Sequence, residues 1–349
     1  MDYSQFLLMP QEMGLLLVFL LVFIYDTFMP QRSQRSLPVF TTVLFAIYTV
    51  LCFVPCGCTC ADTLCEGGKS LFGGMLEVNQ ATWAMKNILN VGLLLVLLQA
   101  GKWSNEEFMS VRRGEFYELL LLTLFGMFLM ISARHFLLFV IGLETASLPI
   151  ACLAAFEKKR YESHEAAAKY VFTAIFSSAI FLLGISFVYG MTGTLYFGDI
   201  ATSLIGKRSV LLALSIAFVI AGVGFKLSLV PFHQWTADVY QGAPTAVTAY
   251  LSVISKGAAA FSFLVILAQV FGAAYSMVWK WMLFRHISRR LNEPFSKERC
   301  VSRLYSEMNL TISSQCGRQV SLKDCNSRNR RYWEISRISF SVMRMISYP

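Results

Sequence analysis

Three ionisable residues stand alone in long apolar stretches of the chain. Glu144, Lys226 and Lys256 are each the only Asp, Glu, Lys or Arg in a stretch of at least 22 residues. At the centre of a membrane-spanning helix such a charge opposes insertion by about 2.5–3.5 kcal/mol, and residues of this kind usually face protein or water. We therefore expect these three side chains to have a function inside a membrane.

Their chemistry is that of proton transfer. Burial in a medium of low dielectric favours the neutral amine of a lysine, whereas a carboxylate about 4 Å away stabilises the ammonium by ~4 kcal/mol at an effective dielectric of 20. A movement of Glu144 toward or away from Lys226 could therefore protonate or deprotonate that lysine, with Lys256 as the next proton acceptor. The alternative is a static Glu–Lys pair that fixes helix register, but it leaves one lysine without a partner.

The stretch FKLSLVPFHQWTADVYQGAP, residues 225–244, predicts a broken helix directly after Lys226. Pro231 lacks the N–H that an unbroken helix would require, and transporters use such breaks at ion sites. His233 follows the break and could relay a proton between Lys226 and Lys256, because the ordinary pKa of histidine lies near neutrality. The alternative for His233 is a hydrogen-bonding role at the helix break.

The elements that carry these residues are predicted to span a membrane. The chain has 349 residues, 56% hydrophobic and only 15% charged, and a mean hydropathy of +0.57, values that indicate an all-α polytopic membrane protein. The first apolar run is interpreted as a retained helix rather than a signal peptide. The third and fourth of the eight predicted helices must take in Lys86 or Glu118 near a membrane face. The predicted spans are 13–29, 37–54, 83–100, 116–133, 135–156, 169–191, 209–230 and 244–272.

The carboxyl-terminal part of the chain has a different composition. Residues 285–349 hold 13 Lys and Arg against 5 Asp and Glu, whereas residues 1–284 hold 17 against 16. No span fits in this basic tail, which lacks an apolar stripe or a repeat and is predicted to be disordered. It also lacks an ordered motif for nucleic acid, so no nucleic-acid partner is expected.

Three runs of residues resemble a known family. They are GLETASLPIACLAAF (142–156), KYVFTAIFSSAIFLLGISFVYGMTGT (169–194) and FKLSLVPFHQWTADVYQGAPTAVTAYLSVISKGAA (225–259). They resemble the proton-translocating, antiporter-like subunits of respiratory complex I, and those of the chain N type most of all. The resemblance covers roughly residues 1–283. It implies a division into leading helices (1–115), a first five-helix repeat (116–272) and a tail (273–349), where a second repeat would begin. An abrupt loss of apolar character is what a shifted reading frame would produce, so a truncated or frameshifted chain is expected.

The resemblance also implies roles for the buried charges. A glutamate of the fifth helix would pair with a lysine of the broken seventh helix, and a lysine of the eighth would continue the proton path. These roles fall on Glu144, Lys226 and Lys256, with His233 near the centre. The resemblance implies a subunit of an NADH:quinone oxidoreductase in a bacterial inner membrane, beside other membrane subunits. NAD, quinone, FMN and iron–sulfur clusters would be bound by partner subunits, and the chain itself would bind no cofactor and perform no redox chemistry.

Two other functions remain open at this stage. One is a non-conducting scaffold or assembly remnant, and the other is a cation/proton antiporter subunit of the same superfamily.

Five cysteines and one further lysine are weaker candidates for a site. Five cysteines, Cys52, Cys56, Cys58, Cys60 and Cys65, match no zinc or iron–sulfur spacing, so no metal site is expected, although disulfides are plausible. Lys169 could tune Glu144, or could be an interfacial lysine whose stem packs on apolar surface.

Overall fold

The computed structural model describes residues 6, 8–28, 36–53, 69–103, 112–158, 160–205, 209–230 and 232–272. These residues belong to one compact unit, Met1–Trp281. The predicted basic tail, its boundary at 273 and Pro231 lie outside the described residues, as do Cys56, Cys58, Cys60 and Cys65.

The described chain is almost entirely helical. Its helices, in chain order, are α1 (Pro10–Phe28), α2 (Leu37–Phe53), α3 (Gln80–Trp103), α4 (Arg113–Ser132), α5 (Phe136–Ala154), α6 (Tyr161–Thr192), α7 (Phe197–Ser203), α8 (Val210–Leu227), α9 (Gln234–Gly242), α10 (Thr245–Tyr250) and α11 (Lys256–Gln269). A π-helical turn, Leu251–Ser255, joins α10 to α11. Two short strands, β1 (Lys69–Leu71) and β2 (Leu76–Val78), precede α3 and pair antiparallel.

The predicted membrane helices are confirmed. Seven helices of the described part of the chain are long and apolar enough to span a membrane: α1, α3, α4, α5, α6, α8 and the continuous helix Thr245–Gln269. The second predicted span, 37–54, corresponds to α2, which has 17 residues and is shorter than the other spans. The chain is therefore an all-α polytopic membrane protein, as its composition predicts.

Close packing of glycines holds the central helices together. A Cβ at Gly126 of α4 would lie 2.8 Å from the carbonyl oxygen of Gly142 in α5, so these two backbones touch. A Cβ at Gly222 of α8 would lie 2.5 Å from the Cβ of Phe181 in α6. Small residues allow helices to approach closely within a membrane, where van der Waals contact drives association. These contacts fix the helices that carry Glu144 and Lys226.

The two strands form a hairpin at one end of the bundle. Gly73 and Gly74 adopt positive φ angles of 66° and 89°, which only glycine takes readily, and so form the turn. Leu71 and Leu76 are buried against Met9 at the start of α1. We call this end of the bundle, capped by residues 69–78, the hairpin face. The sequence did not predict this hairpin.

One charged residue of α3 is paired within the bundle. Lys86 is buried, 1% exposed, and pairs with Glu12 of α1; its position near a membrane face stays a prediction. A lysine inside an apolar bundle is retained when a buried carboxylate neutralises it, and that carboxylate comes from a residue 74 positions away along the chain.

Candidate functional site

Lys226 lies in the last turn of α8 and is buried, with 7% of its surface exposed. Its Nζ has no hydrogen-bond partner among the residues that the structure describes. An ammonium has three N–H donors, and burying a charged group without partners is strongly unfavourable. The position therefore favours a lysine that can lose its proton.

The break after Lys226 is present, and it begins before Pro231. Ser228 ends α8 in the left-handed conformation, with φ 58°, and the Leu229 N–H then donates to the Gly224 carbonyl over 2.8 Å. Residues 229, 230, 232 and 233 are not helical, and α9 begins at Gln234. Non-helical backbone at membrane depth is tolerated where protein or water satisfies its polar groups. The break thus ends the helix within two residues of Lys226.

The two sides of the break are tied together by side chains. The indole Nε1–H of Trp235 in α9 donates to the carbonyl oxygen of Phe225 over 3.2 Å. The Thr236 hydroxyl donates to the hydroxyl of Ser228 over 2.8 Å. These bonds hold the first turn of α9 against the residue that precedes Lys226, so the break has a defined geometry.

Glu144 lies in α5, close enough to Lys226 for the two charges to interact, but no ion pair within 4.0 Å joins them. Instead, the Oε1 of Glu144 accepts a hydrogen bond from the hydroxyl of Ser178 in α6. Glu144 is half-buried. Pro149, one turn further along α5, has no N–H to donate to the carbonyl of Thr145, which loosens the helix beside Glu144. The carboxylate is therefore held near the lysine without being locked to it.

An aromatic cluster fills the space between Glu144 and the broken helix. Tyr170 of α6 is 1% exposed, lies within electrostatic range of Glu144, and its hydroxyl has no hydrogen-bond partner within the described chain. Its ring meets that of Trp235 edge-on, with the centroids 5.3 Å apart. Trp235 in turn lies 6.4 Å, centroid to centroid, from Tyr240. The rings form a continuous row across the break.

Lys256 stands at the far end of this row. Its Nζ lies 5.1 Å from the centre of the Tyr240 ring, a cation–π distance. Lys256 is half-buried and begins α11 directly after the π-helical turn. Such turns widen a helix locally and are frequent at functional sites. The ordered row of side chains from Glu144 to Lys256 thus passes Tyr170, Trp235 and Tyr240.

His233 occupies the position before α9, where its side chain is exposed in the isolated chain. It lies two residues before Trp235 along the sequence. The relay role of His233 stays a prediction, as do the transport roles of the other three residues.

Several side chains of the site were not singled out from the sequence. They are Tyr170, Ser178 and Tyr240, together with the neighbouring pair Ser228 and Thr236. Tyr170 and Ser178 lie on the same side of α6, because positions i and i+8 belong to one stripe of a helix surface. Their spacing in the sequence therefore indicates that both side chains can face the same neighbour. Lys169, weighed as a tuning residue, instead donates to Asp238 over 2.5 Å and pairs with Glu165 over 2.7 Å, on an exposed surface.

Known proteins are similar in sequence to this chain over most of its length. Residues 133–288 match the family model described as "NADH:quinone oxidoreductase/Mrp antiporter, TM". The chain is 46% identical over 291 residues to NADH-quinone oxidoreductase subunit N of Azobacteroides pseudotrichonymphae, covering 82% of this chain and 58% of that protein. It is 48% identical over 272 residues to NADH-quinone oxidoreductase subunit N of Phocaeicola vulgatus, covering 78% of this chain and 55% of that protein. The chain spans about half the length of the curated relatives it matches.

Solved structures show the same fold. A chain of respiratory complex I from Thermus thermophilus superposes with a TM-score of 0.57 at 28% identity, covering 73% of this chain and 52% of that one. A chain of the Mrp complex from Dietzia superposes with a TM-score of 0.64, covering 80% of this chain and 51% of that one. At 18% identity this likeness concerns the fold alone.

Proposed function

The chain belongs to the NADH:quinone oxidoreductase/Mrp antiporter family, and on that premise we propose that it moves protons through Glu144, Lys226 and Lys256. The observation that carries the proposal is the buried Nζ of Lys226, which lacks a hydrogen-bond partner in the described chain although a carboxylate lies nearby. In a structural ion pair, the carboxylate would be the partner of the Lys226 Nζ. Without that partner, Lys226 is free to change its protonation state.

The proposed step transfers one proton between two lysines. When Glu144 approaches Lys226, its charge stabilises the ammonium, and the lysine holds a proton. When Glu144 moves back to its hydrogen bond with Ser178, the Lys226 ammonium loses that stabilisation. An N–H bond then breaks at Lys226 and a new one forms at Lys256, so one positive charge moves with the proton. The hydrogen bond from Ser178 thus stabilises Glu144 in a second position, away from Lys226.

The row of aromatic residues adds polar groups beside this step. Two of its hydroxyls, of Tyr170 and Tyr240, lack a partner in the described chain. Buried hydroxyls usually find a hydrogen bond, so we infer that water reaches them during transfer. The positive charge of Lys256 is stabilised on arrival by the Tyr240 ring.

The proposed setting is a membrane complex in the inner membrane of a bacterium. Relatives of this chain are subunits of NADH-quinone oxidoreductase. We propose that this chain packs beside other membrane subunits of such a complex. Oxidation of NADH and reduction of quinone, with FMN and iron–sulfur clusters, would take place in those partners. This chain would bind no cofactor itself.

The test compares proton pumping with electron transfer. Inverted membrane vesicles that contain the complex are energised with NADH, and acidification of the lumen is followed with a pH-sensitive dye. We expect Lys226→Met and Glu144→Gln to abolish or strongly reduce acidification per NADH oxidised. Lys158→Met and Glu162→Gln are matched controls, because both side chains are exposed. Lys158 lies in the loop before α6, and Glu162 lies in the first turn of α6.

The outcomes separate the proposal from its alternatives. Pumping that is unchanged in both Lys226→Met and Glu144→Gln would support a non-conducting scaffold and overturn the proposal. Acidification that depends on a sodium gradient in the parent protein, and is lost in Lys226→Met, would indicate cation/proton exchange instead. Loss of pumping without sodium dependence, with both controls unaffected, is the result that the proposal predicts.

A further inference from the structure

A second buried ion pair lies away from the site described above. Lys86 of α3 donates through Nζ to Glu12 of α1, and the two side chains are only 1% and 3% exposed. The hydroxyl of Ser132, the last residue of α4, donates to the same Glu12 oxygen over 3.4 Å. Three membrane helices therefore meet at one carboxylate, which the proton path from Glu144 to Lys256 does not use.

Polar side chains surround this pair. Gln11 donates through its side-chain amide to Asn87 over 2.8 Å, and the Tyr48 hydroxyl donates to the main-chain oxygen of Gln11 over 2.7 Å. Asn90, one turn after Lys86, is fully buried, and neither its amide nitrogen nor its amide oxygen has a hydrogen-bond partner in the part of the chain described. Unmet amide groups at this depth indicate a place for water.

A static pair does not need this surrounding. Buried ion pairs are often replaceable by apolar residues without loss of stability, and each further polar side chain adds to the desolvation cost. Gln11, Asn87 and Asn90 add such groups, and Asn90 brings one that is unsatisfied within the described chain. The cluster is better suited to holding a proton and water than to fixing helix register.

The pair lies one helix away from Lys256. A Cβ at Gly257, the residue after Lys256, would lie 3.6 Å from the terminal methyl of Met85, which precedes Lys86 in α3. The helix of Lys256 and the helix of Lys86 are thus in van der Waals contact. The helix that carries Lys86 is therefore a direct neighbour of the helix that carries Lys256.

The pair is also close to the hairpin face. Glu12 follows Met9 by three residues, and Met9 packs on Leu71 and Leu76 of the hairpin. Ser132, which donates to Glu12, is two residues before Arg134, whose Nε donates to Glu77 over 2.5 Å.

An open cavity of about 700 Å³ lies at this face. Arg134, Glu77, Asp199 and Gln269 contribute to its lining, and Gln269 is the last residue of α11, the helix that begins at Lys256. Ionisable side chains and an open cavity therefore lie at the hairpin face, the end of the bundle on which α1 begins.

We propose that Glu12 and Lys86 form a second proton-exchange site, which connects Lys256 to water at the hairpin face. The Glu12 carboxylate accepts the proton that the Lys256 ammonium releases, so that an O–H bond forms as an N–H bond breaks. Lys86 stays protonated, so the net charge of the pair rises from 0 to +1 while Glu12 is neutral. Glu12 then returns the proton to water in the cavity and becomes a carboxylate again. This inference rests on the proposed function, because it requires that Lys256 carry protons.

The test uses the intact complex and two variants. Glu12→Gln keeps the shape of the side chain but cannot ionise, and Glu12→Gln/Lys86→Met removes the pair without leaving an unpaired buried cation. We expect both to oxidise NADH while losing acidification of inverted vesicles. Infrared difference spectra recorded between acid and neutral pH should show a carboxylic acid band of the parent protein that both variants lack. Glu162→Gln, at an exposed carboxylate, should keep both signals.

A purely structural pair would give a different result. If the double variant pumps as well as Glu162→Gln and keeps the infrared band, the inference is wrong, whatever the single variant does. Failure of the inference can be told from failure of the proposed function. If Lys226→Met stops pumping but the double variant does not, only the second site is refuted. If Lys226→Met itself pumps normally, the proposed function is refuted, and this inference with it.

Discussion

Replacing Lys226 by methionine should stabilise the protein while it abolishes transport. The Nζ of Lys226 is buried and has no hydrogen-bond partner among the described residues, so the folded chain bears the cost of a poorly compensated amine. Methionine has a similar length and no polar atom. Burying a polar group without a hydrogen-bond partner costs about 1–3 kcal/mol, and we expect about that much to be regained, since nearby Glu144 offsets only a part of the cost.

The assay is unfolding of the purified full-length chain in detergent, with the free energy of unfolding compared between variants. Lys158→Met is the control, because its exposed side chain should change stability by less than about 0.5 kcal/mol. A gain in Lys226→Met together with a loss of pumping would show that the lysine is retained for function. Destabilisation of Lys226→Met by about 3 kcal/mol or more would refute the reasoning, since breaking a closed buried pair has that effect.

Three further predictions concern the remainder of the fold. Lys86→Met should lower the free energy of unfolding by about 3–5 kcal/mol, because it leaves Glu12 as an unpaired buried charge, and adding Glu12→Gln should restore most of the loss. Gly142→Ala should destabilise the protein by about 1–3 kcal/mol in the same assay, because its Cβ would lie 2.7 Å from a main-chain nitrogen of α4, whereas Gly190→Ala, with nothing within 4 Å, should be neutral or stabilising. Burial lowers the pKa of His135 from its ordinary 6.5, so the unfolded chain gains a proton first as pH falls below 6.5, and the free energy of unfolding should fall there. His135→Asn, which can still accept the N–H bond at the start of α5, should show a flatter pH dependence; an unchanged slope would contradict this role.

The membrane helices could be predicted from sequence because their lengths and composition are fixed by the bilayer. Even the spans that had to include Lys86 and Glu118 are real, as α3 and α4. The break after Lys226 was also predictable, although it begins at Ser228 rather than at Pro231. These features depend on residues that are near each other along the chain.

The features that sequence did not reveal depend on contacts between distant segments. Glu12 and Lys86 are 74 residues apart, and nothing local to either residue indicates the other. Ser178 and Glu144 lie in different helices, 34 residues apart along the chain, and meet only in the folded bundle. The π-helical turn before Lys256 is a small change in helical hydrogen bonding that leaves the apolar pattern intact.

The central claim is that Lys226 carries a proton rather than a fixed charge, and Lys226→Arg tests it most directly. Arginine keeps the positive charge but does not release its proton in proteins. In inverted vesicles that oxidise NADH at the parental rate, we predict that Lys226→Arg fails to acidify the lumen, as Lys226→Met does. Acidification by Lys226→Arg at the parental ratio of protons to NADH would contradict the account, because a fixed charge would then be sufficient.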